Sequence, residues 1–528
     1  MLQEKEKCFV LYPEMEMHSP FRIYSMIILR EEDTKESVEN LIREWKLSEF
    51  AQQESLVIAF PNPPKEGWNS LSAEELTAKL REIQSKMCEP DDYVFETNEI
   101  GIPLLKCMLN RWHLMNDTRY YIGIGKACKA ACTMARMAPI EVTAVCCIGE
   151  CGVDYEVSDI KKLKEIGMPV LESMKATSQD SGADFLTGMY REFMKPIRRI
   201  NTGKYGDTTH RMDFEKVGFD VYLNNTELGD QGGMAHTWFV HVPSTKKQSV
   251  KEQCTLPMMI FFHGGSDNPM EAADMSKFHE LGEKEGFITV YPWGSDTASW
   301  NCNYEPDGFD DVAYTKALIQ WMKEHYPVDE SRIYLSGFSN GAAMAQIYAM
   351  EYPEEIAGVC HIDSNWPGHR LGLAKVDPTE VKAFQKAWKK KEESDYLMPV
   401  WYTYGTREPS YPVYKGCSQQ LQYDFWKAYN HIPIAETPER ETPHPCGCGV
   451  PGEVCEEQIP LQKYPEHRYQ INRFYSEIEH LNLYNYVMMH DKGHEVAPSD
   501  PVLGWKYVKQ FRREADGTLG NISQEERQ

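Results

Sequence analysis

The residues best suited to chemistry form the pentad Gly337-Phe338-Ser339-Asn340-Gly341, which has the pattern Gly-x-Ser-x-Gly. A short apolar run over 332–335 precedes the pentad, and a stretch rich in alanine and methionine follows it. A strand, a tight turn and a helix in this order hold a serine hydroxyl out from the backbone, at a helix end whose dipole favours negative charge. Small residues flank the serine because so tight a turn leaves little room. Ser339 is therefore predicted as a nucleophile, provided that other residues supply its partners.

The general base that Ser339 requires is predicted to be His494. This residue follows an apolar strand predicted over 484–489 and ends the turn Asp491-Lys492-Gly493-His494, which would hold an imidazole over the carboxyl edge of a sheet. His490 is the competing histidine, but it lies at the strand end, where its side chain has less freedom to reach Ser339. A surface histidine without a catalytic role is the alternative interpretation of His494.

The orienting acid is predicted to be Glu408, which closes the run 399–408, a buried strand that ends in a glycine turn. A carboxylate there can accept the imidazole N–H, fix its tautomer and stabilise the imidazolium that forms. Two alternatives stay open. Glu408 could pair with Arg407 or face solvent, and Asp363, after a strand predicted over 358–362, is the second candidate acid.

Two backbone amides are predicted to bind the oxyanion, those of Asn340 and Gly265. Gly265 belongs to the turn His263-Gly264-Gly265 after the apolar run 256–262. Small residues suit this turn because a substrate carbonyl must come within hydrogen-bond distance of the main chain. An ordinary Gly-Gly loop is the alternative.

Taken in this order, the second half of the chain resembles the α/β-hydrolase branch that contains polyhydroxybutyrate depolymerases and feruloyl esterases. The resemblance covers about residues 235–512 and implies carboxylic-ester hydrolysis through an acyl-enzyme, without metal or cofactor. It rests on the following pieces of sequence: Phe262-His263-Gly264-Gly265, Tyr291-Pro292, Trp300-Asn301, Phe309-Asp310-Asp311-Val312, Val328-Asp329-Glu330-Ser331-Arg332-Ile333-Tyr334, Gly337-Phe338-Ser339-Asn340-Gly341-Ala342, Tyr404-Gly405-Thr406, Phe425-Trp426 with Asn430, and Gly493-His494.

The resemblance also bears on substrate. It implies that Trp300 and His263 line the substrate site, although a core tryptophan is an equal alternative for Trp300. Where the family's acid is usually Asp this chain has Glu408, and an insertion over 415–482 is longer than the family pattern suggests. Secreted depolymerases of the branch bring an export signal and a polymer-binding module, neither of which is seen here. The lack of that signal and module favours a small soluble ester over a polymer.

The elements that must position these residues point to an α/β fold with two hydrolase-like domains in tandem. Strand-like runs alternate with helical ones from the start of the chain, which predicts a mostly parallel sheet covered on both faces. The first half repeats the second in order, but offers Gly125 or Lys126 where the second has Ser339. We therefore predict a degenerate domain over 1–180, a linker helix and loop over 181–215, and a catalytic domain over 216–514 with a lid-like insertion.

Bulk composition limits the partners. A net charge of −24 argues against nucleic acid and anionic membrane surfaces, and no run of eighteen apolar residues is present to span a bilayer. Fifteen cysteines, an odd count, together with a charged N-terminus that leads into no apolar segment, predict reduced thiols in the cytoplasm. His444, Cys446, Cys448 and Cys455 lack the usual Cys-x₂-Cys zinc spacing, so no metal is predicted.

The prediction is a serine carboxylesterase acting on a soluble, small-molecule ester of feruloyl, cinnamoyl or short acyl type. Alternatives are an intracellular polyhydroxyalkanoate depolymerase or a serine peptidase on the same fold, and a non-enzymatic binding protein. The first domain is predicted to serve packing, substrate access or a homo-oligomer interface.

Overall fold

The protein is described by a computed structural model. The described residues are 1–14, 23–32, 34–87, 114–149, 157–173, 182–228, 235–244, 255–265, 267–294, 299–302, 304, 308–364, 377–408, 418–434, 457–461, 464–478 and 480–522. They form two compact units, Met1–Asp213 and Phe214–Gln528.

The first unit alternates strands and helices, as its sequence predicts. Its strands are β1 (Leu2–Lys5), β2 (Cys8–Leu11), β3 (Ile23–Leu29), β4 (Leu56–Pro61), β5 (Leu114–Ile124), β6 (Ala144–Ile148), β7 (Val170–Ser173), β8 (Ile197–Ile200) and β9 (Asp207–His210). Its helices are α1 (Lys35–Glu44), α2 (Leu47–Glu54), α3 (Ala73–Met87), α4 (Cys128–Met137), α5 (Val157–Glu165) and α6 (Gly182–Met189), the last continued by a π-helical turn over Tyr190–Met194. Short 3₁₀ turns occupy Trp68–Ser70, Gly125–Ala127 and Pro139–Glu141.

The sheet of the first unit has the order β1-β2-β4-β3-β5-β6-β7 across the described strands. The strands from β4 to β7 are parallel, while β1 and β2 are antiparallel at one edge. Alternate residues of β3 and β4 enter two separate apolar cores, one on each face of the sheet. Burial on both faces explains why runs such as 56–60 are apolar throughout.

The second unit contains the predicted catalytic residues. Its strands are β10 (Asp220–Asn225), β11 (His236–His241), β12 (Leu256–Phe262), β13 (Ile288–Pro292), β14 (Val328–Phe338), β15 (Gly358–Ile362), β16 (Val400–Gly405), β17 (Glu457–Leu461), β18 (Tyr464–Tyr475), β19 (Asn482–Met489), β20 (Phe511–Arg513) and β21 (Leu519–Asn521). Its helices are α7 (Phe214–Val217), α8 (Pro269–Ser276), α9 (Phe278–Glu285), α10 (Asp311–His325), α11 (Asn340–Glu351), α12 (Lys382–Glu393), α13 (Ser418–Tyr429) and α14 (Asp500–Val508), with a 3₁₀ turn over Pro378–Glu380.

The main sheet of the second unit has the order β10-β11-β13-β12-β14-β15-β16-β19-β18-β17 across its described strands. Its six central strands, from β13 to β19 in that order, are parallel to their neighbours. Strands β10 and β11 form an antiparallel edge, and β11 also pairs antiparallel with β13. Because parallel strands bring their carboxyl ends to one edge, residues that follow β12, β14, β15, β16 and β19 lie at the same side of the sheet.

The first seven strands of the two main sheets follow the same spatial order, β1-β2-β4-β3-β5-β6-β7 and β10-β11-β13-β12-β14-β15-β16. The correspondence extends to one turn. Gly125 follows β5 with φ +59°, and Ser339 follows β14 with φ +52°. Gly125, and not Lys126, is therefore the residue of the first unit that occupies the position of Ser339.

Two predicted segments differ from the structure. The stretch predicted as a linker, 181–215, contributes α6, β8 and β9 to the first unit, which extends to Asp213. Arg199 explains this attachment, because its guanidinium donates to the carbonyls of Gly167 and Tyr205 at 2.8 and 2.7 Å. The predicted lid-like insertion, 415–482, contains α13 and the hairpin β17–β18, and β18 pairs antiparallel with β19 to extend the sheet.

No helix within the described ranges combines the length and the apolar character needed to cross a membrane.

Candidate active site

The turn around Ser339 is strained and tightly packed. Ser339 has φ +52° and ψ −117°, a region that residues with a β-carbon rarely occupy, and its N–H donates to the carbonyl of Ile362 at 3.0 Å. A β-carbon on Gly337 would lie 2.4 Å from the carbonyl oxygen of Gly341, and one on Gly341 would lie 2.2 Å from the carbonyl oxygens of Phe262 and His263. Both glycines of the pentad are thus required sterically. The turn leaves Ser339 partly exposed at the carboxyl end of β14.

The predicted acid and base are in direct contact. Glu408 lies just beyond β16, and His494 lies in the loop after β19, the neighbouring strand. Nδ1 of His494 is 2.8 Å from Oε1 of Glu408. The imidazole also packs against the ring of Phe338, with 4.7 Å between centroids, and Phe338 immediately precedes Ser339. The structure therefore brings His494 beside the nucleophile turn with its Nδ1 occupied by the carboxylate.

A set of backbone contacts joins the acid turn to the histidine loop. The N–H of Arg407 donates to the carbonyl of Lys492 at 2.9 Å, and the N–H of Asp491 donates to Oγ1 of Thr406 at 3.0 Å. Gly405 allows this close approach, because a β-carbon there would lie 2.3 Å from the Lys492 carbonyl oxygen. The guanidinium of Arg407 donates a hydrogen bond to the carbonyl of Asp491 at 2.8 Å. The geometry of the Glu408–His494 pair is thus fixed by main-chain contacts on both sides.

The environment of His494 favours its charged form. Burial of part of the ring disfavours the imidazolium, but the hydrogen bond and the negative charge of Glu408 outweigh that cost and raise the pKa of His494 above 6.5. A proton on Nδ1 that is held by Glu408 leaves Nε2 free to act as an acceptor. An imidazole in this tautomer can take a proton from a serine hydroxyl.

The two amides predicted as oxyanion donors belong to neighbouring residues. An ideal β-carbon on Gly265 would lie 3.7 Å from Cβ of Asn340, and both residues are accessible to solvent. Gly265 has room for a β-carbon, whereas Gly264 does not, since a β-carbon there would lie 2.6 Å from Oδ2 of Asp267. The glycine required for packing in this turn is therefore Gly264, and Gly265 is the exposed one.

The side chain of Asn340 clasps the segment 299–302. Its Oδ1 accepts the N–H of Trp300 at 2.7 Å, and its Nδ2 donates to the carbonyl of Trp300 at 3.3 Å and contacts Sγ of Cys302 at 3.5 Å. The indole N–H of Trp300 in turn donates to the carbonyl of His263 at 2.9 Å. This chain of contacts connects the two turns that carry the candidate oxyanion donors. Sequence reasoning considered the Asn340 main chain and missed the side chain.

His263 and Trp300 are buried and make hydrogen bonds within the protein next to the turn at Gly264. His263 is fully buried, its Nε2 accepts the N–H of Gly294 at 2.8 Å, and its Nδ1 lies 2.6 Å from the carbonyl oxygen of Gly264. Trp300 is 4% exposed. The polar atoms of both rings thus contact groups of the protein, and the substrate-binding role of these two residues stays a prediction.

The alternative candidates lie nearby but are engaged differently. Asp363, just beyond β15, is buried, its Oδ2 accepts the N–H of Glu495 at 3.1 Å, and Nζ of Lys492 is 3.0 Å from the same oxygen. His490 is the first residue after β19. The direct carboxylate–imidazole contact is the one between Glu408 and His494. Lys492 was not predicted from the sequence, although its place two residues before His494 was a signal.

Asp363, Glu408 and His494 also offer oxygen and nitrogen atoms that all lie within 4.8 Å of one another. Three such atoms can hold a metal ion. Here, however, Lys492 already supplies a cation to Asp363, and Glu408 holds Nδ1 of His494. The second group considered as zinc ligands, His444, Cys446, Cys448 and Cys455, lies outside the described residues.

Comparison with known proteins gives a family for this part of the chain. Residues 249–368 match the family described as "Esterase PHB depolymerase". This part of the chain is therefore similar to that family. The match takes in the turn at Gly265, the strand and helix around Ser339, and Asp363, while Glu408 and His494 lie beyond it.

Curated proteins similar to part of this chain include enzymes named for several esters. "Bifunctional acetylxylan esterase/xylanase XynS20E" of Neocallimastix patriciarum is 33% identical over 96 residues, 17% of this chain and 14% of that protein. "Poly(3-hydroxyalkanoate) depolymerase C" of Paucimonas lemoignei is 29% identical over 131 residues, 24% of this chain and 30% of that protein. "Feruloyl esterase B" of Talaromyces funiculosus is 25% identical over 142 residues, 26% of this chain and 37% of that protein. The chain thus spans less than half the length of each of these relatives.

Among solved structures, the acetyl xylan esterase from Aspergillus awamori is 14% identical with a TM-score of 0.36, over 55% of this chain and 99% of that one. 

Proposed function

We propose that this protein is a serine carboxylesterase that acts through an acyl-enzyme. One observation carries the proposal. Ser339 holds a left-handed backbone conformation at the end of the central strand β14, at the same sheet edge as the hydrogen-bonded pair Glu408 and His494. A strained serine beside a carboxylate-oriented imidazole is the arrangement that generates a nucleophile at neutral pH.

The proposed reaction assigns one task to each residue. Ser339 Oγ attacks the ester carbonyl while Nε2 of His494 takes its proton, and Glu408 stabilises the imidazolium that results. The amides of Gly265 and Asn340 donate to the oxyanion, whose charge develops as the tetrahedral intermediate forms. His494 returns its proton to the departing alcohol, which leaves an acyl group on Ser339. Water then attacks the acyl-enzyme while Nε2 of His494 takes its proton. His494 returns that proton to Ser339 Oγ as the carboxylic acid leaves.

For the substrate, we propose a small carboxylic ester of feruloyl, cinnamoyl or short acyl type. The names of the relatives, an acetylxylan esterase and a feruloyl esterase among them, support this class. A hydroxyalkanoate oligomer is the second candidate, because the matching family and one relative are named for depolymerases of this polyester.

We further propose that the first unit is a non-catalytic copy of the hydrolase sheet. Its seven-strand order supports this proposal, as does Gly125 at the position of the nucleophile. A cytoplasmic location also stays a proposal, supported by buried cysteines that form no disulfide, such as Cys146.

The first prediction tests the nucleophile. Wild type should hydrolyse members of a panel of p-nitrophenyl acyl esters, methyl ferulate, hydroxybutyrate oligomers and a peptide amide. Ser339→Ala should lower kcat on the best ester at least about 10³-fold, because no other group replaces the hydroxyl. Ser336→Ala is the matched control, since Ser336 is a fully buried serine of β14, the strand that leads to Ser339, and it should retain kcat. Activity of Ser339→Ala within tenfold of wild type would refute the assignment.

A further inference from the structure

A buried ion cluster lies directly behind the catalytic histidine loop. Lys492 is fully buried, and its Nζ is 3.0 Å from Oδ2 of Asp363 and 3.0 Å from Oδ2 of Asp500. Asp500 is held in turn by the N–H of Ala497 at 2.8 Å and by the hydroxyl of Tyr469 at 3.0 Å. Burying three charges is costly unless they compensate one another. In this cluster one ammonium faces two carboxylates, so negative charge remains in excess.

Glu408 adds to that excess. Its carboxyl is 8% exposed and lies in one group with Asp363 and His494, whose polar atoms are within 4.8 Å of one another. With a neutral imidazole, three carboxylates share the single cation Lys492. Protonation of His494 supplies the second cation that this buried group lacks. The cluster is therefore better balanced when the imidazolium is present than when it is absent.

One carboxylate oxygen of Asp363 takes no part in the contacts that hold this residue in place. Its Oδ2 accepts the N–H of Glu495 and pairs with Lys492, while its buried Oδ1 has no hydrogen-bond partner among the residues that the structure describes. Its backbone has φ +50°, a conformation that carries strain for a residue with a β-carbon. Unpaired buried oxygens and strained backbones are uncommon in a merely structural ion pair, and they concentrate at functional sites.

We propose that Asp363 is a second carboxylate of the catalytic site, which stabilises the imidazolium form of His494 together with Glu408 and is itself held in place by Lys492. Asp363 acts through His494 and does not touch substrate, so it is a positioning residue. The proposal rests on the proposed serine mechanism for its role in turnover. Its electrostatic content can be tested without turnover.

The titratable surroundings of Asp363 fit this role. Burial and the like charge of Glu408 raise the pKa of the Asp363 carboxyl to about 7, against the opposing effects of Lys492 and His494. The carboxylate form of Asp363 and the imidazolium form of His494 therefore each favour the other. The groups that surround it come from several elements: Glu408 and Tyr402 from β16 and its turn, Lys492, His494 and Glu495 from the loop after β19, Tyr469 from β18, and Asp500 from α14.

The alternative is that Asp363 serves only to neutralise Lys492 and anchor the loop. Asp500 provides a matched comparison, because it is the other carboxylate on the same ammonium, also at 3.0 Å. Removal of either carboxylate leaves Lys492 with one partner. The group with polar atoms within 4.8 Å of one another, however, contains Asp363 and not Asp500. A difference between the two variants therefore isolates the effect of Asp363 on the imidazole.

The decisive measurement is the pKa of His494, obtained by NMR on the full chain with isotope-labelled histidine and assigned with His494→Gln. Asp363→Asn should lower this pKa by about one unit, and Asp500→Asn should lower it clearly less, because an anion within about 6 Å of an imidazolium raises its pKa by one to three units. Equal shifts in the two variants, or no shift in Asp363→Asn, would overturn the proposal.

Glu408→Gln provides a second measurement that leaves the cluster around Lys492 intact. Since Asp363 remains, the pKa of His494 should stay at or above the reference value of about 6.5 in this variant. A fall well below that value would contradict the proposal even if Asp363→Asn failed to fold.

Kinetics then connect the charge to turnover. The base must be neutral to accept a proton, so the acid limb of kcat/KM follows the pKa of His494. Asp363→Asn should move that limb to lower pH by the NMR shift and lower the plateau about tenfold. A limb that does not move would contradict the proposal. Absence of ester hydrolysis in the wild type would instead refute the proposed function, and the NMR comparison would still decide the role of Asp363.

Discussion

Asn340 uses its main chain and its side chain for different purposes. The amide N–H is a candidate oxyanion donor, while the side chain clasps the backbone of Trp300 through both of its polar atoms. The position of an oxyanion donor matters because the transition state gains from hydrogen bonds only at short distance and correct angle. We therefore expect the side chain of Asn340 to contribute to catalysis by holding the donor and not by contact with substrate.

We predict that Asn340→Ala lowers kcat by about ten- to hundredfold with little change in KM, since a misplaced donor weakens binding of the transition state more than of the substrate. Asn430 is the matched control. It makes the same two-point contact with the backbone of Met398, at 2.8 Å for each bond, away from the site.

Asn430→Ala should cost about 1–3 kcal/mol of stability, because buried main-chain groups lose their partners, and should leave kcat unchanged. Steady-state kinetics and urea unfolding of both variants provide the check. If kcat of Asn340→Ala equals that of wild type, the hydrogen bonds between the Asn340 side chain and the Trp300 backbone have no part in the reaction.

At this scale the sequence was informative about residues that follow strands. Ser339, Glu408 and His494 could each be predicted, because a strand pattern before a turn indicates which sheet edge the residue reaches. Supporting residues could not be predicted in the same way. Whether His263 faces substrate or Gly294, and whether Lys492 faces solvent or Asp363, depends on packing between segments distant in sequence.

The element that most constrains the site is the connection from β14 to α11. Helix α11 begins so close to the end of β12 that Gly341 abuts the carbonyl oxygens of Phe262 and His263. This contact brings the helix start beside the turn that carries Gly265. The distance between the two candidate oxyanion donors is therefore set by the packing of a helix against a strand end.

We predict that Gly341→Ala destabilises the second unit by about 3 kcal/mol or more, because its β-carbon would lie 2.2 Å from two main-chain oxygens that cannot move independently. Gly188→Ala in α6 is the control, since a β-carbon there meets no atom within 4 Å. It should change stability by no more than about 1 kcal/mol. Urea unfolding followed by tryptophan fluorescence measures both. Wild-type stability in Gly341→Ala would contradict the packing described.

Elements with continuous apolar runs were predictable, and elements with mixed runs were not. The strand predicted over 484–489 lies within β19, since burial on both faces leaves an unbroken apolar signal. The hairpin β17–β18 carries polar residues between apolar ones, as edge strands do, and so the insertion was predicted as a lid. Strands β8 and β9 are four residues each, too short for their pattern to distinguish them from a linker.

For the whole molecule, the question is how many reactive centres one chain contains. Both units present a strand and a turn with positive φ, but the first unit has Gly125 at that position and the second has Ser339. Topology was predictable at this scale from the repeated order of strand patterns. The assignment of Gly125 over Lys126 was not, because a shift of one residue in the turn leaves the sequence similarity unchanged.

We predict that a fluorophosphonate probe labels the full chain with one equivalent per chain, and that the labelled peptide contains Ser339. The reason is that phosphonylation requires an activated hydroxyl, and glycine has none. Intact-mass measurement gives the stoichiometry, and Ser339→Ala should take up no label. Two equivalents, or a labelled peptide from Met1–Asp213, would show a second centre.

The positive φ at Ser339 lowers conformational stability at the same position where the proposed reaction needs a side-chain hydroxyl. Glycine would adopt φ +52° and ψ −117° without the cost of about 1–3 kcal/mol that a β-carbon brings. Gly125, the corresponding residue of the first unit, has φ +59° and bears no such cost. A Ser339→Gly variant should therefore unfold at higher urea concentration than wild type while it loses the proposed nucleophile.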